Sequence, residues 1–199
     1  MQTTQTNLLR EVCDSHNREA WGDFYRIYAP MLRHFARRLG LNDPDTDDVT
    51  QEVLIIAQRS LQEQRYDPNR GRFRGWLYGI ARRQTLAALR ARQRRTRIQL
   101  SPLDGPFDPI QQLADRSTDE THSAIWHQEW RYAVLDEALR HVRAQVGEKS
   151  FQAFCRYAIE RRPVGEVAEE LGLSPSSVYV YKSRVLEAIR KWVMQFESP

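Results

Sequence analysis

Apolar residues recur every three or four positions along most of this chain of 199 residues, whereas no long stretch alternates apolar and polar residues. The first spacing places apolar side chains on one face of an α-helix, and alternation would indicate a β-strand. One helix is predicted by Trp21, Phe24, Tyr28, Met31, Leu32, Phe35 and Leu39, and a second by Val49, Val53, Ile56, Ala57 and Leu61. A third begins near Phe73. The sequence therefore predicts an all-α fold.

The second half of the chain has the same helical spacing and ends in a helix-turn-helix pattern. Helices are predicted over residues 130–146 and 150–160, followed by two segments on either side of Gly172. Ser174 suits the cap before a helix, and Pro175 suits its first turn. A short helix, a turn with glycine and a capped longer helix are typical of DNA-binding proteins, although an ordinary pair of packed helices has the same pattern.

The composition argues against a membrane protein and predicts a cytoplasmic one. Hydrophobic residues make up 41% of the chain. They never form the run of about 18–20 apolar residues that a bilayer span needs. Residues 1–11 lack the apolar stretch of a signal peptide. Cys13 and Cys155 are too far apart in sequence to indicate a disulfide framework, so we expect reduced thiols.

Positive and negative charges are separated along the chain, although the net charge is only +4. Residues 70–97 contain ten arginines and no acidic residue, which is typical of a surface that binds a polyanion. Between residues 98 and 129 the sign reverses, and three prolines interrupt any helix near the start of that segment. We therefore predict two small helical domains, residues 12–97 and 123–197, joined by a flexible acidic linker at 98–122.

Three motifs, in their order along the chain, resemble those of bacterial sigma factors of the extracytoplasmic-function type. They are DDVTQEV at residues 47–53, FRGWLYGIAR at 73–82, and EVAEELGLS at 166–174 followed by Ser177 and Val178. The resemblance implies that the first motif binds core RNA polymerase, the second melts the promoter and the third belongs to the reader of the minus-thirty-five element. The expected partners are core RNA polymerase and promoter DNA, both duplex and melted. The sequence leaves open whether an anti-sigma factor also binds.

The second predicted helix has a polar face roughly opposite its buried stripe. Asp48, Gln51, Glu52 and Ile55 share this face because they are three or four residues apart. Such a face is commonly a solvated acidic surface and nothing more, but Ile55 is an apolar residue among charges, as is found at interfaces. The resemblance implies that this face binds a coiled coil of the largest polymerase subunit. We predict these four residues as polymerase-binding.

The third predicted helix and the turn before it combine aromatic and basic residues. The candidate DNA-binding side chains are Asn69, Arg72, Arg74, Trp76, Tyr78, Arg82 and Arg83. Melted DNA fits this mixture because bases stack on aromatic rings while arginines follow the phosphates. Two alternatives stay open: Trp76 as an ordinary core residue, and Asn69 as a residue that only stabilises its turn.

The helix after Ser174 presents a polar and basic outer face, which favours DNA binding over an ordinary helical pair. Its outward residues are Ser176, Ser177, Tyr179, Val180, Lys182, Ser183 and Arg184. The first residues of such a helix contact base edges, and flanking cations hold phosphates. We predict that Lys182 and Arg184 contribute affinity, and that Ser177 and Tyr179 contribute sequence preference.

The sequence carries no enzyme, metal or cofactor motif. Asp43, Asp45 and Asp47 imitate the start of a calcium loop, but Asp48 and Leu54 occupy the places of its glycine and glutamate. Metal-binding histidine spacings, phosphate-binding glycine loops and nucleophile elbows are missing too. We therefore predict a sigma factor that is not an enzyme and needs neither metal nor cofactor. The rivals are a stand-alone helix-turn-helix regulator that binds its operator without polymerase, and a nucleic-acid-processing enzyme.

Overall fold

The structure, a computed structural model, describes residues 5–14, 16–99 and 116–197, and in these ranges it contains helices and turns but no strand. The helices are α1 (Gln5–Val12), α2 (Arg18–Arg38), α3 (Asp43–Gln62), α4 (Phe73–Gln99), α5 (Arg116–Gln145), α6 (Glu148–Phe154), α7 (Val164–Leu171) and α8 (Pro175–Glu197). The predicted all-α fold is confirmed. None of these helices has the length and the apolar content that a bilayer crossing needs.

The chain divides into two compact units. Unit A is Asn7–Ala133, and unit B is Val134–Pro199 together with Met1–Thr6. The core of unit A includes the fully buried side chains of Leu8, Phe24, Phe35, Val53, Ala57 and Leu77. Since Leu8 lies on α1, the first unit begins before residue 12, where the sequence analysis placed its start.

A turn between α2 and α3 fixes the start of α3. Gly40 has φ +103°, a backbone conformation that favours glycine, and α2 ends just before it as the apolar spacing predicts. The side chain of Asn42 then accepts a hydrogen bond from the backbone N–H of Asp45 at 3.1 Å. This cap satisfies one of the free N–H groups of the first turn. It sets the first residue of α3 and with it the position of the exposed polar face.

The first half of α5 packs inside unit A, which the sequence analysis did not predict. Trp126 is 1% exposed and Trp130 is 2% exposed. The ring centroid of Trp126 lies 5.2 Å from that of Phe35, and the Trp130 centroid lies 5.6 Å from that of Tyr28. Two large aromatic side chains at one-turn spacing therefore anchor α5 on α2.

The bounds of the helices and units differ from the predicted linker and domains. The sequence analysis placed a linker at 98–122 and a second domain from 123, whereas α4 continues to Gln99, α5 begins at Arg116 and the units divide after Ala133. The acidic residues of this stretch suggested a solvated linker, but tertiary packing holds its last part, the start of α5, in unit A. Residues 100–115 lie outside the described residues, so a linker there stays a prediction.

Unit B contains the elements of the predicted helix-turn-helix. Its small core consists of Ala153, Val167, Ala168, Leu171 and Val178, with Tyr157, Val164, Leu173 and Tyr181 partly buried against it. Gly172 ends α7 in the left-handed conformation at φ +59°, and the N–H of Leu173 donates to the carbonyl of Ala168 at 2.8 Å. The Ser174 hydroxyl accepts from the N–H of Ser177 at 3.1 Å and caps α8.

Candidate nucleic-acid interface

The predicted polymerase-binding residues lie on the outer face of α3. Asp48, Gln51 and Glu52 are exposed, and Ile55 is half-buried. The neighbouring Asp47 is paired with Arg33 of α2, with Nε 2.7 Å from Oδ1. No such ion pair holds Asp48 or Glu52 to another described residue, so α3 exposes two carboxylates, and their contact with polymerase stays a prediction.

The turn before α4 uses Asn69 for its own stability. The carboxylate oxygen Oδ1 of Asp67 accepts hydrogen bonds from the backbone N–H of Asn69 at 2.9 Å and from its side-chain amide at 3.1 Å. An acidic side chain that bonds two residues onward is a common way to stabilise a turn. The structure therefore gives Asn69 a role in the turn, while its exposed position leaves DNA contact a prediction.

Trp76 is neither a plain core residue nor a free surface ring. It is half-buried, and its ring centroid lies 5.2 Å from that of Tyr66 and 5.4 Å from that of Phe73. The adjacent helical positions 73 and 77 are buried, so α4 turns Trp76 toward the edge of the core. Arg72, just before this helix, and Arg83 on it are exposed, and Arg74 is half-buried. This end of α4 therefore combines a partly exposed aromatic side chain with exposed arginines one turn before it and two turns after it.

Two of the predicted DNA-binding residues, Tyr78 and Arg82, are held by Asp119 of α5. The Tyr78 hydroxyl donates a hydrogen bond to Asp119 Oδ1 at 3.1 Å. Arg82 Nε lies 2.8 Å from the same oxygen. The two groups form an ion pair, but their angles do not fit a hydrogen bond. Burial and then the Asp119 contact raise the pKa of Tyr78 to about 12. The sequence analysis had placed Asp119 in the linker and missed this contact.

A buried carboxylate strengthens the contact of α5 with unit A. The side chain of Glu129 is only 6% exposed, and its oxygens lie 3.0 Å from Arg38 Nη1 and 3.5 Å from His34 Nδ1. A buried carboxylate requires such partners because its desolvation is costly. In contrast, His122 Nδ1 and Trp126 Nε1 are buried with no hydrogen-bond partner among the described residues. The contact between α5 and the rest of unit A therefore contains ion pairs, but it also leaves two buried nitrogens without a hydrogen bond among the described residues.

The start of α8 presents an unusually open aromatic and apolar surface. Tyr179 is 48% exposed and Val180 is 46% exposed. The other predicted members are Ser176, Ser183 and Arg184, which are exposed, and Ser177 and Lys182, which are partly buried. Ser177 has a second task, since its hydroxyl lies 2.8 Å from the capping hydroxyl of Ser174. The other residues of this face are largely exposed, and their contact with DNA stays a prediction.

Tyr157, which the sequence analysis did not single out, lies beside this face. Its ring meets that of Tyr179 edge to face at 5.4 Å, and Lys182 Nζ lies 5.3 Å from the centre of its ring. Tyr157 follows α6 in a widened helical turn, Cys155–Ile159. Helical spacing alone does not reveal that this turn brings the ring to α8.

Comparisons with known proteins decide the nature of the segment that carries α3 and α4. Residues 24–95 match the family model for Sigma-70 region 2. This segment is therefore similar to sigma-70 region 2. All of the predicted polymerase-binding residues, and the DNA-binding residues of α4 and its preceding turn, fall inside it. Unit B lies outside the region 2 match.

Two curated relatives are sigma factors. The chain is 30% identical over 138 residues to the ECF RNA polymerase sigma factor SigE of Mycolicibacterium smegmatis, a match that covers 69% of this chain and 49% of SigE. It is 35% identical over 66 residues to the RNA polymerase sigma factor CnrH of Cupriavidus metallidurans, covering 33% of each. The predicted resemblance to ECF-type sigma factors is confirmed. The matches span about half of SigE and a third of CnrH.

A solved structure of CnrH in complex with the cytosolic domain of CnrY aligns with 98% of this chain and 99% of that chain. The sequence identity is 20% and the TM-score is 0.36. The assignment of region 2 therefore rests on the family match and the sequence relatives. Within the described ranges, no three His, Cys, Asp or Glu side chains form a group that could hold a metal ion.

Proposed function

We propose that the chain is a sigma factor that binds core RNA polymerase in the cytoplasm and directs it to a class of promoters. In this proposal α3 binds polymerase, α4 captures the melted minus-ten element and α8 reads the duplex minus-thirty-five element. The observation that carries the proposal is the region 2 match at residues 24–95, which contains an exposed acidic face and an arginine-rich helix. The role needs no active site in this chain, because the polymerase supplies the chemistry.

The charge pattern of α3 supports a protein partner for Asp48, Gln51, Glu52 and Ile55. Exposed carboxylates add little to folding, so their concentration on one face is not explained by stability. Complementary charge does increase the rate and the specificity of association. The half-buried Ile55, about one turn after Glu52, adds apolar area to the same face.

The surface of α4 supports capture of single-stranded DNA. A base that stacks on an aromatic side chain gains about 1–3 kcal/mol, and arginines add a salt-dependent attraction to the phosphates. Trp76 is only half-buried, and Arg72, one turn before it, and Arg83, two turns after it, are exposed. These three residues are the members of the predicted set best placed for melted DNA.

The open face of α8 supports duplex recognition. Exposed aromatic and apolar side chains, such as Tyr179 and Val180, are unfavourable in water and suit contacts with base edges and thymine methyl groups. Arg184 is exposed on the same helix and is placed for a phosphate. Ser177 has less freedom to read bases because it also bonds the helix cap.

Binding to core polymerase tests the proposal. Glu52→Lys reverses one exposed charge, so we expect loss of core binding with a change in unfolding free energy below about 0.5 kcal/mol. Gln51→Ala changes no charge and should weaken the same complex. Competition against the wild-type chain for core polymerase, followed by size-exclusion chromatography, measures both effects.

The matched control is Glu11→Lys, which reverses an exposed glutamate on α1, also in unit A. This variant should bind core polymerase as the wild type does, because it lies outside the predicted interface. If Glu52→Lys competed for core as well as the control while keeping its fold, the α3 interface would be refuted. Failure of the wild-type chain to bind core polymerase would refute the proposed function itself.

A further inference from the structure

The widened turn after α6 ties Tyr157 to the helix-turn-helix. The N–H of Glu160 donates to the carbonyl of Cys155 at 2.9 Å, a five-residue step that widens the helix. Arg156 Nη1 lies 2.9 Å from a carboxylate oxygen of Glu170 on α7, which holds the turn against that helix. On its inner side, the half-buried Tyr157 packs against the core of unit B.

On its outer side, Tyr157 contacts Tyr179, which is about half exposed, and Lys182, which is partly buried. The edge-to-face contact with Tyr179, at 5.4 Å and 89°, has the geometry that aromatic quadrupoles favour. The ammonium group of Lys182 lies 5.3 Å from the centre of the Tyr157 ring, within cation–π range. Because Tyr179 is about half exposed, the Tyr157 ring restricts rotations that solvent would leave free.

We propose that Tyr157, although it lies outside the helix-turn-helix, is a positioning residue that sets the DNA-contacting orientations of Tyr179 and Lys182. The inference rests on the proposed function, because it assumes that α8 reads promoter DNA. Its physical basis is preorganisation: side chains already held in their bound orientation lose less conformational entropy when DNA binds. The ring acts through its neighbours, so sequence preference should depend on it more than stability does.

Selection of upstream promoter sequences from a random pool by the full chain bound to core polymerase tests this. Tyr157→Phe keeps the ring and should return the wild-type motif. Tyr157→Leu keeps apolar packing but loses the ring, and should relax the motif at the positions that Tyr179→Ala also changes. Val164→Ala trims another side chain packed on the same core, and should lower the melting temperature without altering the motif.

The inference is overturned if Tyr157→Leu, folded by circular dichroism, returns the wild-type motif, or if Val164→Ala relaxes the motif to the same degree. Tyr157→Met takes its place if the leucine variant does not fold, since methionine fills irregular space without offering a ring. A wild-type complex that returns no motif would refute DNA reading by α8 and this inference with it. A wild-type motif that Tyr157→Leu leaves intact would refute only the positioning role.

A second, independent observation is that Asp119 occupies Tyr78 and Arg82 of α4. A carboxylate between a guanidinium and a phenol takes the place that a phosphate would take on an arginine-rich helix. We infer that Asp119, in the first turn of α5, masks Tyr78 and Arg82 in the free protein and gives up these two contacts when DNA binds, while Trp126 and Trp130 keep α5 on the core of unit A.

Binding of the free full chain to a fluorescent oligothymidylate at low salt tests the masking. Asp119→Asn should bind this single strand several-fold more tightly than the wild type. Glu120→Gln is the matched control, because it removes the same charge from the adjacent, exposed position. If only long-range electrostatics mattered, the two changes would increase the affinity for the oligothymidylate equally. An equal increase from both, or no increase from Asp119→Asn, would therefore overturn the masking. Polymerase is absent from this experiment, and its outcome is therefore separate from the proposed function.

Discussion

Helices α4 and α8 both combine aromatic and basic residues, yet they present them differently. On α4, the ring of Tyr78 lies 5.6 Å from that of Trp126, and its hydroxyl bonds to Asp119. On α8, Tyr179 is 48% exposed and touches one aromatic neighbour at its edge. Similar composition thus gives a partly covered surface in one unit and an open one in the other. Composition identifies a candidate nucleic-acid helix, and packing decides which of its residues are available.

The difference arises from what packs on each helix. In unit A, α5 brings Trp126 and Trp130 against the core, so a second layer lies over α2 and the start of α4. In unit B, α8 buries Val178 and Val185 on one side and leaves its other side to solvent. The following predictions test this contrast, from the largest expected effect to the smallest.

The largest effect should come from removing the buried tryptophan of α5. Trp126→Ala empties a site that is 1% exposed, and deletions of this kind cost about 3–5 kcal/mol of unfolding free energy. Tyr179→Ala on the open face of α8 should change it by no more than about 0.5 kcal/mol. Urea unfolding followed by circular dichroism compares the two variants. Similar losses from both would contradict the contrast between covered and open helices.

Trp76→Ala should impair transcription from duplex promoters more than from templates already mismatched around the start site. The loss of one stacking platform is worth about 1–3 kcal/mol, and a premelted template removes part of the need for it. Run-off transcription with both templates measures the ratio. Because Trp76 also packs on Tyr66 and Phe73, a thermal melt must show that the variant is folded. Equal impairment on both templates would remove the melting role.

Arginines on the two helices should differ in their salt dependence. Arg184→Ala should reduce the slope of log affinity against log salt by about one on a selected duplex, because one phosphate contact is lost. The same should hold for Lys182→Ala. In contrast, Arg82→Ala in the free protein should alter single-strand binding little, since Asp119 already neutralises that guanidinium. A full slope change from Arg82→Ala would show that Arg82 is open to DNA.

The smallest effect concerns pH. Burial, followed by the charge of Arg82, lowers the pKa of His122 from about 6.5, while Asp119 raises it. The folded state therefore favours neutral His122. The stability that this preference contributes is present above pH 6.5 and is lost as the pH falls through the lower pKa of the folded state. His122→Gln should reduce the loss of unfolding free energy between pH 7 and pH 5. An unchanged pH profile would contradict a buried neutral histidine.

Local patterns explain why much of the fold is predictable from this sequence. The apolar spacing depends on residues within a few turns of one another, and so α2, α3 and the start of α4 are found where expected. The same holds for Gly172 and Ser174 at the turn of unit B. The exposed face of α3 follows from the same periodicity.

Long-range contacts explain what the sequence did not reveal. Glu129 is stabilised by Arg38, which is 91 residues earlier in the chain, and Asp119 by Tyr78, which is 41 residues earlier. Without these partners, the acidic residues predict a solvated linker. The sequence did contain a weak indication that unit A begins before residue 12. Leu8 and Val12 are four residues apart, which places both on one face of a helix, and both are buried.

Run-off transcription tests the central claim most directly. Core polymerase is combined with a promoter library in three reactions: without the chain, with the wild type, and with Glu52→Lys. The account predicts discrete transcripts from a shared promoter class only with the wild type. Absence of wild-type transcripts, together with a footprint that the chain makes on duplex DNA without polymerase, would contradict it and favour a stand-alone regulator.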